Sequence, residues 1–175
     1  MIILLIIWGC FCILGCWYGV VWRFRRKRDT LLVQLQALLD RRVYLVKDLA
    51  EYVGEHIKSE RIMCEEIITF CQTLTQKNTE THQRMILEAH LVVKMVALYR
   101  AVQKYRSIRT HGWIMEIQIM LSELESSIYT QTKDINTYTA HYNKIITWSI
   151  MRFISHLLKL EIYSYYHITD QELTG

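Results

Sequence analysis

The residues of this sequence that could do chemistry are scattered, beginning with its seven histidines. A metal site in a helical bundle uses Glu-x-x-His motifs, because that spacing puts both ligands on one helix face. The sequence has no such motif, and its nearest pair is His56 with Glu60, one turn apart in a polar stretch. Solvated side chains explain that pair better than a metal site does. Glycine-rich phosphate loops and Gly-x-Ser-x-Gly nucleophile motifs are also lacking. We therefore expect no metal and no cofactor.

Two cysteines, Cys64 and Cys71, lie outside the apolar N-terminus. On a helix they would be roughly 10 Å apart along the axis, and a disulfide needs Cα atoms within about 7 Å. A zinc site would need two further ligands. The spacing instead predicts two small core residues and a reducing compartment.

An enzyme, or an enzyme subunit, is the alternative from another functional class. Its site would lie between helices and use His141, His156 and Glu161. None of these residues belongs to a recognisable catalytic motif, so the sequence favours a non-enzymatic protein. Stoichiometric metal in the purified protein would revive the enzyme alternative.

The composition predicts an all-α fold. The 175 residues include no proline and six glycines. Because proline and glycine are the strongest interrupters of regular structure, their scarcity favours few, long helices. The formal net charge is +4, and five neighbouring basic residues account for all of it, leaving the rest nearly neutral. They are Arg23, Arg25, Arg26, Lys27 and Arg28. A nucleic-acid-binding protein would carry its excess charge on the folded domain, so nucleic acid is not an expected partner.

The composition of the N-terminus is typical of a membrane anchor. Residues 1–22 are uncharged and apolar, and as a helix they would reach roughly 30 Å, the thickness of a bilayer core. Basic residues mark the cytoplasmic side, so the segment 23–28 predicts an outside N-terminus and a cytoplasmic body. A cleaved signal peptide would have its basic residues before the apolar run. The sequence therefore predicts an uncleaved, single-pass transmembrane anchor.

Apolar residues at spacings of three and four predict an antiparallel, up-and-down four-helix bundle over 29–166. Its third helix carries an apolar seam that repeats every 3.5 residues, interrupted by Gln131, which we interpret as a polar residue that sets the register. The tyrosines of 163–166 would cover the end of the bundle or form a recognition patch. The predicted helices are 29–74, with a turn or bend at 54–61, 82–105, 113–146 and 149–166, followed by a polar tail over 167–175.

Laid out in this way, the chain resembles the LemA family. Two basic residues, 41 and 42, precede a helix motif of apolar residues and glutamates, and the segment 125–128 (ESSI) is placed like that family's Glu-Asn-Arg-Ile. Two Tyr-Asn repeats of the family match Asn136 and the pair Tyr142-Asn143, although Ile135 replaces the first tyrosine. The helix motif consists of Leu45, Leu49, Glu51, Val53 and Glu60.

The resemblance implies an antiparallel bundle on a bacterial inner membrane and no enzyme activity. The family's usual prolines are missing, which indicates a divergent member. The expected function is protein interaction or scaffolding at the cytoplasmic face of the membrane, with protein partners that the sequence does not identify.

Gly15 and Gly19 form a small-xxx-small motif, which allows two membrane helices to approach closely. Glycine is also simply common in membrane helices. If the motif pairs two copies, the protein is a self-associating, membrane-organising homo-oligomer. Replacing both glycines by isoleucine should then abolish dimers in membranes, measured by cross-linking. Unchanged dimerisation would contradict this hypothesis.

Overall fold

The computed structural model describes residues 1–75, 81–148 and 152–166. Over these residues the chain forms helices and no strand, which confirms the all-α prediction. A 3-10 turn, at Lys58–Glu60, accompanies the α-helices. The α-helices are α1 (Ile2–His56), α2 (Arg61–Thr75), α3 (Thr81–Lys104), α4 (Arg106–Arg109), α5 (Gly112–Thr147) and α6 (Arg152–Leu157).

Helix α1 includes the apolar segment, the basic run and the first part of the predicted helix 29–74 without interruption. Among the described residues, no helix combines the length and the apolar character needed to cross a membrane. The structure therefore supports the helical part of the prediction for 1–22 and does not support a transmembrane span there.

The predicted helix 29–74 is in fact two helices. The bend expected at 54–61 is a complete break, because Ile57 has an extended backbone (φ −122°, ψ 96°) and the 3-10 turn follows it. At Gly54, an added Cβ would lie 3.1 Å from the Cβ of Cys64 on α2. The missing side chain therefore lets α2 fold back closely against α1.

The chain divides into two compact units. Of the described residues, the first unit comprises 1–35, 130–148 and 152–166, and the second comprises 36–75 and 81–129. The predicted polar tail, 167–175, lies outside the described residues, as does the start of the predicted helix 149–166.

The second unit is a four-helix bundle, and the described parts of α1, α2, α3 and α5 share its core. Burial of each large apolar side chain contributes roughly 1.5–3 kcal/mol. The bundle was expected, but its second helix is α2, which the sequence did not separate from α1. The core residues recur at spacings of three and four: Val43, Val46, Leu49, Ala50, Val53, Cys64, Ile67, Cys71, Leu74, Leu91, Met95, Leu98, Val102, Ile114, Ile117 and Leu121.

In the first unit, the predicted helix 149–166 is wrong beyond Leu157. The last turn of α6 is closed by two backbone hydrogen bonds, in which Leu160 N–H donates to the Ser155 carbonyl (3.0 Å) and Lys159 N–H donates to the His156 carbonyl (3.1 Å). Lys159 is left-handed, with φ 50°. This is the Schellman arrangement, in which a left-handed residue ends a helix.

Residues 158–166, which we call the strap, are held on α5 by two asparagines. The Asn143 amide nitrogen donates to the Tyr163 carbonyl (2.8 Å), and Tyr163 N–H donates to the Asn143 side-chain oxygen (3.1 Å). Asn136 binds Tyr166 in the same way, with both distances 2.8 Å. A carboxamide carries donors and an acceptor, so each asparagine satisfies both backbone groups of one strap residue. At Tyr163 and Tyr166, this pairing takes the place of the backbone hydrogen bonds of the predicted helix.

Helices α1 and α5 pack along a mixed seam in the first unit. Val21, Tyr142 and Ile146 form its buried cluster. The Gln131 amide donates to the Leu31 carbonyl (3.2 Å) and to the Gln34 side-chain oxygen (2.9 Å). Gln131 is therefore a half-buried polar residue of the seam that links two helices. That it sets the register of the seam stays a prediction.

We expect Asn143→Ala to loosen the strap at one point. Hydrogen exchange at the Tyr163 amide should rise at least tenfold, because that N–H loses its acceptor. Asn136→Ala is the matched control, with its largest effect at the Tyr166 amide. The measurement is site-resolved hydrogen exchange, and equal protection of both amides in both variants would show that the asparagines do not hold the strap.

Candidate functional site

The N-terminal part of α1 exposes most of its described large apolar side chains. Trp8 is 74% exposed and Phe11 is 76% exposed. Monomeric soluble proteins rarely expose large, contiguous apolar surfaces, and such surfaces mark sites of interaction with proteins or membranes. The exposed side chains in this segment are Met1, Leu4, Trp8, Phe11, Ile13, Leu14, Tyr18, Val20 and Trp22.

The basic run follows directly on the same helix. Four of its members, Arg23, Arg25, Arg26 and Lys27, are exposed. The fifth, Arg28, belongs to the fold: its side chain is 13% exposed, it lies 3.2 Å from an Asp29 carboxylate oxygen, and its guanidinium stacks 3.4 Å from the centre of the Tyr163 ring. The structure thus divides the predicted topology residues into four that face outward and one that secures the strap.

Gly15 and Gly19 lie within this apolar part of α1. Both are exposed, and a Cβ added at either would meet no atom within 4 Å. The surface around them is therefore open to the close approach of another helix.

The three residues of the hypothetical enzyme site lie at the surface. His141, His156 and Glu161 are all exposed, and the His141 ring lies 5.7 Å from the ring of Phe24. Throughout the part of the chain that the structure describes, no three His, Cys, Asp or Glu residues are placed to hold one metal ion. His56 stacks on Tyr52 with ring centres 4.0 Å apart.

Cys64 and Cys71 are buried core residues of α2, as predicted. Burial, with a smaller contribution from the charge of Glu60, raises the pKa of Cys64 to about 11. Burial, followed by Glu88, likewise raises the pKa of Cys71 to about 11. Both therefore stay protonated at neutral pH and lack the thiolate that a nucleophile or metal ligand needs.

An ion-pair cluster in the second unit is the principal polar feature that sequence reasoning missed. Arg42 of α1 is 1% exposed and binds two carboxylates on two other helices. Its Nη1 lies 3.1 Å from Glu125 Oε1 on α5, and its Nη2 donates to Glu88 Oε2 on α3. Burial alone lowers the pKa of Arg42, but the nearby Glu125 and Glu88 charges outweigh it and raise that pKa above its ordinary value. The guanidinium stays charged and joins three helices.

A second arginine connects this cluster to the surface. Arg84 Nη2 lies 2.5 Å from Asp40 Oδ1, and Arg84 Nε lies 3.7 Å from Glu88 Oε1. Tyr99 lies nearby, and burial, followed by the Glu125 charge, raises its pKa to about 12. The burial of Glu88 could have been predicted from the sequence. Glu88 lies three residues before Leu91, the first residue of an apolar stripe on α3, and therefore on the same helix face. A lone buried glutamate requires a cationic partner.

The surface of the second unit also has a groove between α2 and α3, with a volume of about 500 Å³. Lys94 Nζ lies there, 3.6 Å from a Glu66 carboxylate oxygen and 5.7 Å from the centre of the Phe70 ring. The groove is lined by Ile62, Glu65, Glu66, Thr69, Phe70, Thr73 and Lys94. The groove therefore combines apolar groups with a paired charge.

The chain is similar to a known protein family. The model of the LemA family matches residues 32–174. No curated protein and no solved structure matches the chain significantly. The matched region contains the residues that carry the resemblance and, in the structure, bind other segments: Arg42, Glu125, Asn136 and Asn143.

We expect Arg42→Met to destabilise the protein by about 3–5 kcal/mol, because buried Glu88 would keep only its longer contact with Arg84, at 3.7 Å. Adding Glu88→Leu should restore much of this loss by removing the uncompensated charge. The measurement is denaturant unfolding of the full chain.

The exposed pair Arg61–Glu65 provides the control for this test, because its atoms lie 2.8 Å apart while both side chains are more than half exposed. Arg61→Met should cost less than about 1 kcal/mol. If both variants lose the same free energy of unfolding, the buried cluster does not stabilise the bundle.

Proposed function

This chain belongs to the LemA family, and from that premise we propose that it is a non-enzymatic helical-bundle protein that is attached to a membrane and binds other proteins. The carrying observation is the exposed apolar surface of residues 1–22, followed on the same helix by exposed basic residues. A lipid bilayer accommodates both, since its core takes the apolar side chains and its anionic headgroups attract arginine and lysine.

The proposed location is a bacterial inner membrane, with the N-terminus outside and the bundle at the cytoplasmic face. The position of the basic run supports this orientation, because lysine and arginine next to an apolar segment resist translocation. The protonated thiols of the two core cysteines are compatible with a reducing compartment.

A protein-interaction role is supported by how the second unit uses its charges and its surface. Its buried charges pair with one another in the Arg42 cluster. Several of its large apolar side chains, in contrast, are exposed at the surface. Isolated exposed apolar residues are normal, but Ile62, which is 75% exposed, lines the α2–α3 groove together with Phe70, and a partner could cover this surface. The exposed residues of this unit include Tyr44, Ile62, Ile86, Val93, Met115, Ile119 and Tyr129.

The experiment combines membrane fractionation with affinity capture of the full chain. We expect the wild-type protein to remain in membranes after alkaline extraction, and Trp8→Glu with Phe11→Glu to release it. The matched control is Tyr44→Glu with Ile119→Glu, which adds the same charge outside residues 1–22 and should leave the protein in membranes. Detergent extracts should contain a reproducible protein partner that Ile62→Glu removes.

Three results would contradict parts of this proposal. Release of the wild-type protein by alkali would remove membrane attachment. Cleavage of the bundle by protease added to right-side-out spheroplasts would reverse the orientation. Capture of no partner, with intact expression, would remove the protein-interaction role.

A further inference from the structure

The end of α5 lies beside the apolar segment of α1. Val21 is buried with Tyr142 and Ile146, and Trp17 packs against the same cluster. Trp17 precedes Trp22 by five residues, or about 7.5 Å of helix. The last turns of α5 are therefore level with the final turns of the apolar segment, within the first unit.

Helix α6 and the strap are fixed at this same level. The Ser155 hydroxyl donates to the Ile146 carbonyl (2.9 Å), which ties α6 to the end of α5. Leu160 packs against the Val21 cluster. Asn143 then holds Tyr163 by both backbone groups. These attachments place α6 and the first half of the strap beside residues 17–22.

The outer surface of this region has the composition of an interfacial membrane element. Trp148 is 63% exposed, Leu157 is 73% exposed and Ile162 is 66% exposed. Two basic side chains, Arg152 and Lys159, are exposed among them. Apolar and aromatic groups beside lysine and arginine are typical of segments that lie in the boundary between headgroups and acyl chains.

We propose that Trp148, Leu157, Leu158 and Ile162 form a second membrane-contact surface, which lies in the boundary region of an anionic phospholipid bilayer. The inference rests on the proposed attachment through residues 1–22. If that segment enters the bilayer up to Trp22, everything packed against Trp17 and Val21 is drawn to the boundary. Trp17 would then lie about 7.5 Å deeper in the bilayer than Trp22. This depth is within the range of about 5–10 Å at which interfacial elements lie.

The way the strap is attached leaves its outer side chains available for membrane contact. Asn136 and Asn143 bind it by the backbone alone, so the side chains of Leu158 and Ile162 are not needed to hold it. Arg28, stacked on Tyr163, fixes the strap to the basic run that follows the apolar segment. The protein therefore contacts the membrane through two segments that are distant in sequence and adjacent in space.

The test is photo-cross-linking of the full chain, reconstituted in nanodiscs of phosphatidylethanolamine and phosphatidylglycerol. A benzophenone amino acid replaces one exposed apolar residue at a time: Leu157 or Ile162 as the test, Trp8 as the positive control and Val33 as the negative control. Val33 is 66% exposed and lies eleven residues beyond Trp22 on α1, about 16 Å along the helix. We expect lipid adducts at Leu157 and Ile162 to exceed those at Val33 at least tenfold.

The outcomes separate the two proposals. If lipid adducts form at Trp8 but are missing at Leu157, at Ile162 or at both, the second contact surface is overturned and membrane attachment stays intact. A lack of lipid adducts at Trp8 as well would overturn both. Adducts from Leu157 or Ile162 to another protein chain in place of lipid would also overturn the inference, because the surface would then be a protein interface. Circular dichroism of each variant checks that the helices are retained.

Discussion

The bundle of the second unit depends on one guanidinium. Arg42 has no access to water, so its charge must be balanced by the protein, and the two carboxylates that do this belong to α3 and α5. Apolar packing alone tolerates small slips of one helix along another. A planar, forked cation does not, because it meets two carboxylates well in only one register. The cluster therefore selects one arrangement from several that the apolar core would accept, even where its net contribution to stability is small.

The sequence predicted what periodicity controls. The fold class, the extent of α3 and α5, a turn or bend within 54–61 and the buried cysteines of α2 all follow from apolar spacing and from polar interruptions. It did not predict that α1 and α2 are separate bundle members, because the stripe of apolar residues continues across the break. The transmembrane span over 1–22 is a prediction that the described structure does not support.

The predicted helix 149–166, and the ion pair of Glu88 that was not predicted, show the limits of such reasoning. Nothing local stops the helix after Leu157, since the sequence there has neither glycine nor proline. The alternative conformation is selected from a distance, by two asparagines on α5 that supply the hydrogen bonds a helix would otherwise make. Similarly, a glutamate on an apolar stripe identifies a buried charge but not its partner. Both features depend on contacts between segments far apart in the chain, which periodicity does not encode.

The asparagine attachment has an evolutionary consequence. Because Asn136 and Asn143 recognise only peptide groups, they constrain the path of the strap and leave most of its side chains unconstrained. Substitutions at the outward positions can accumulate without detaching the segment. A chain built in this way can adapt its outer surface to a changed environment while its framework stays the same, so related sequences should diverge faster along the strap than at the two asparagines that hold it.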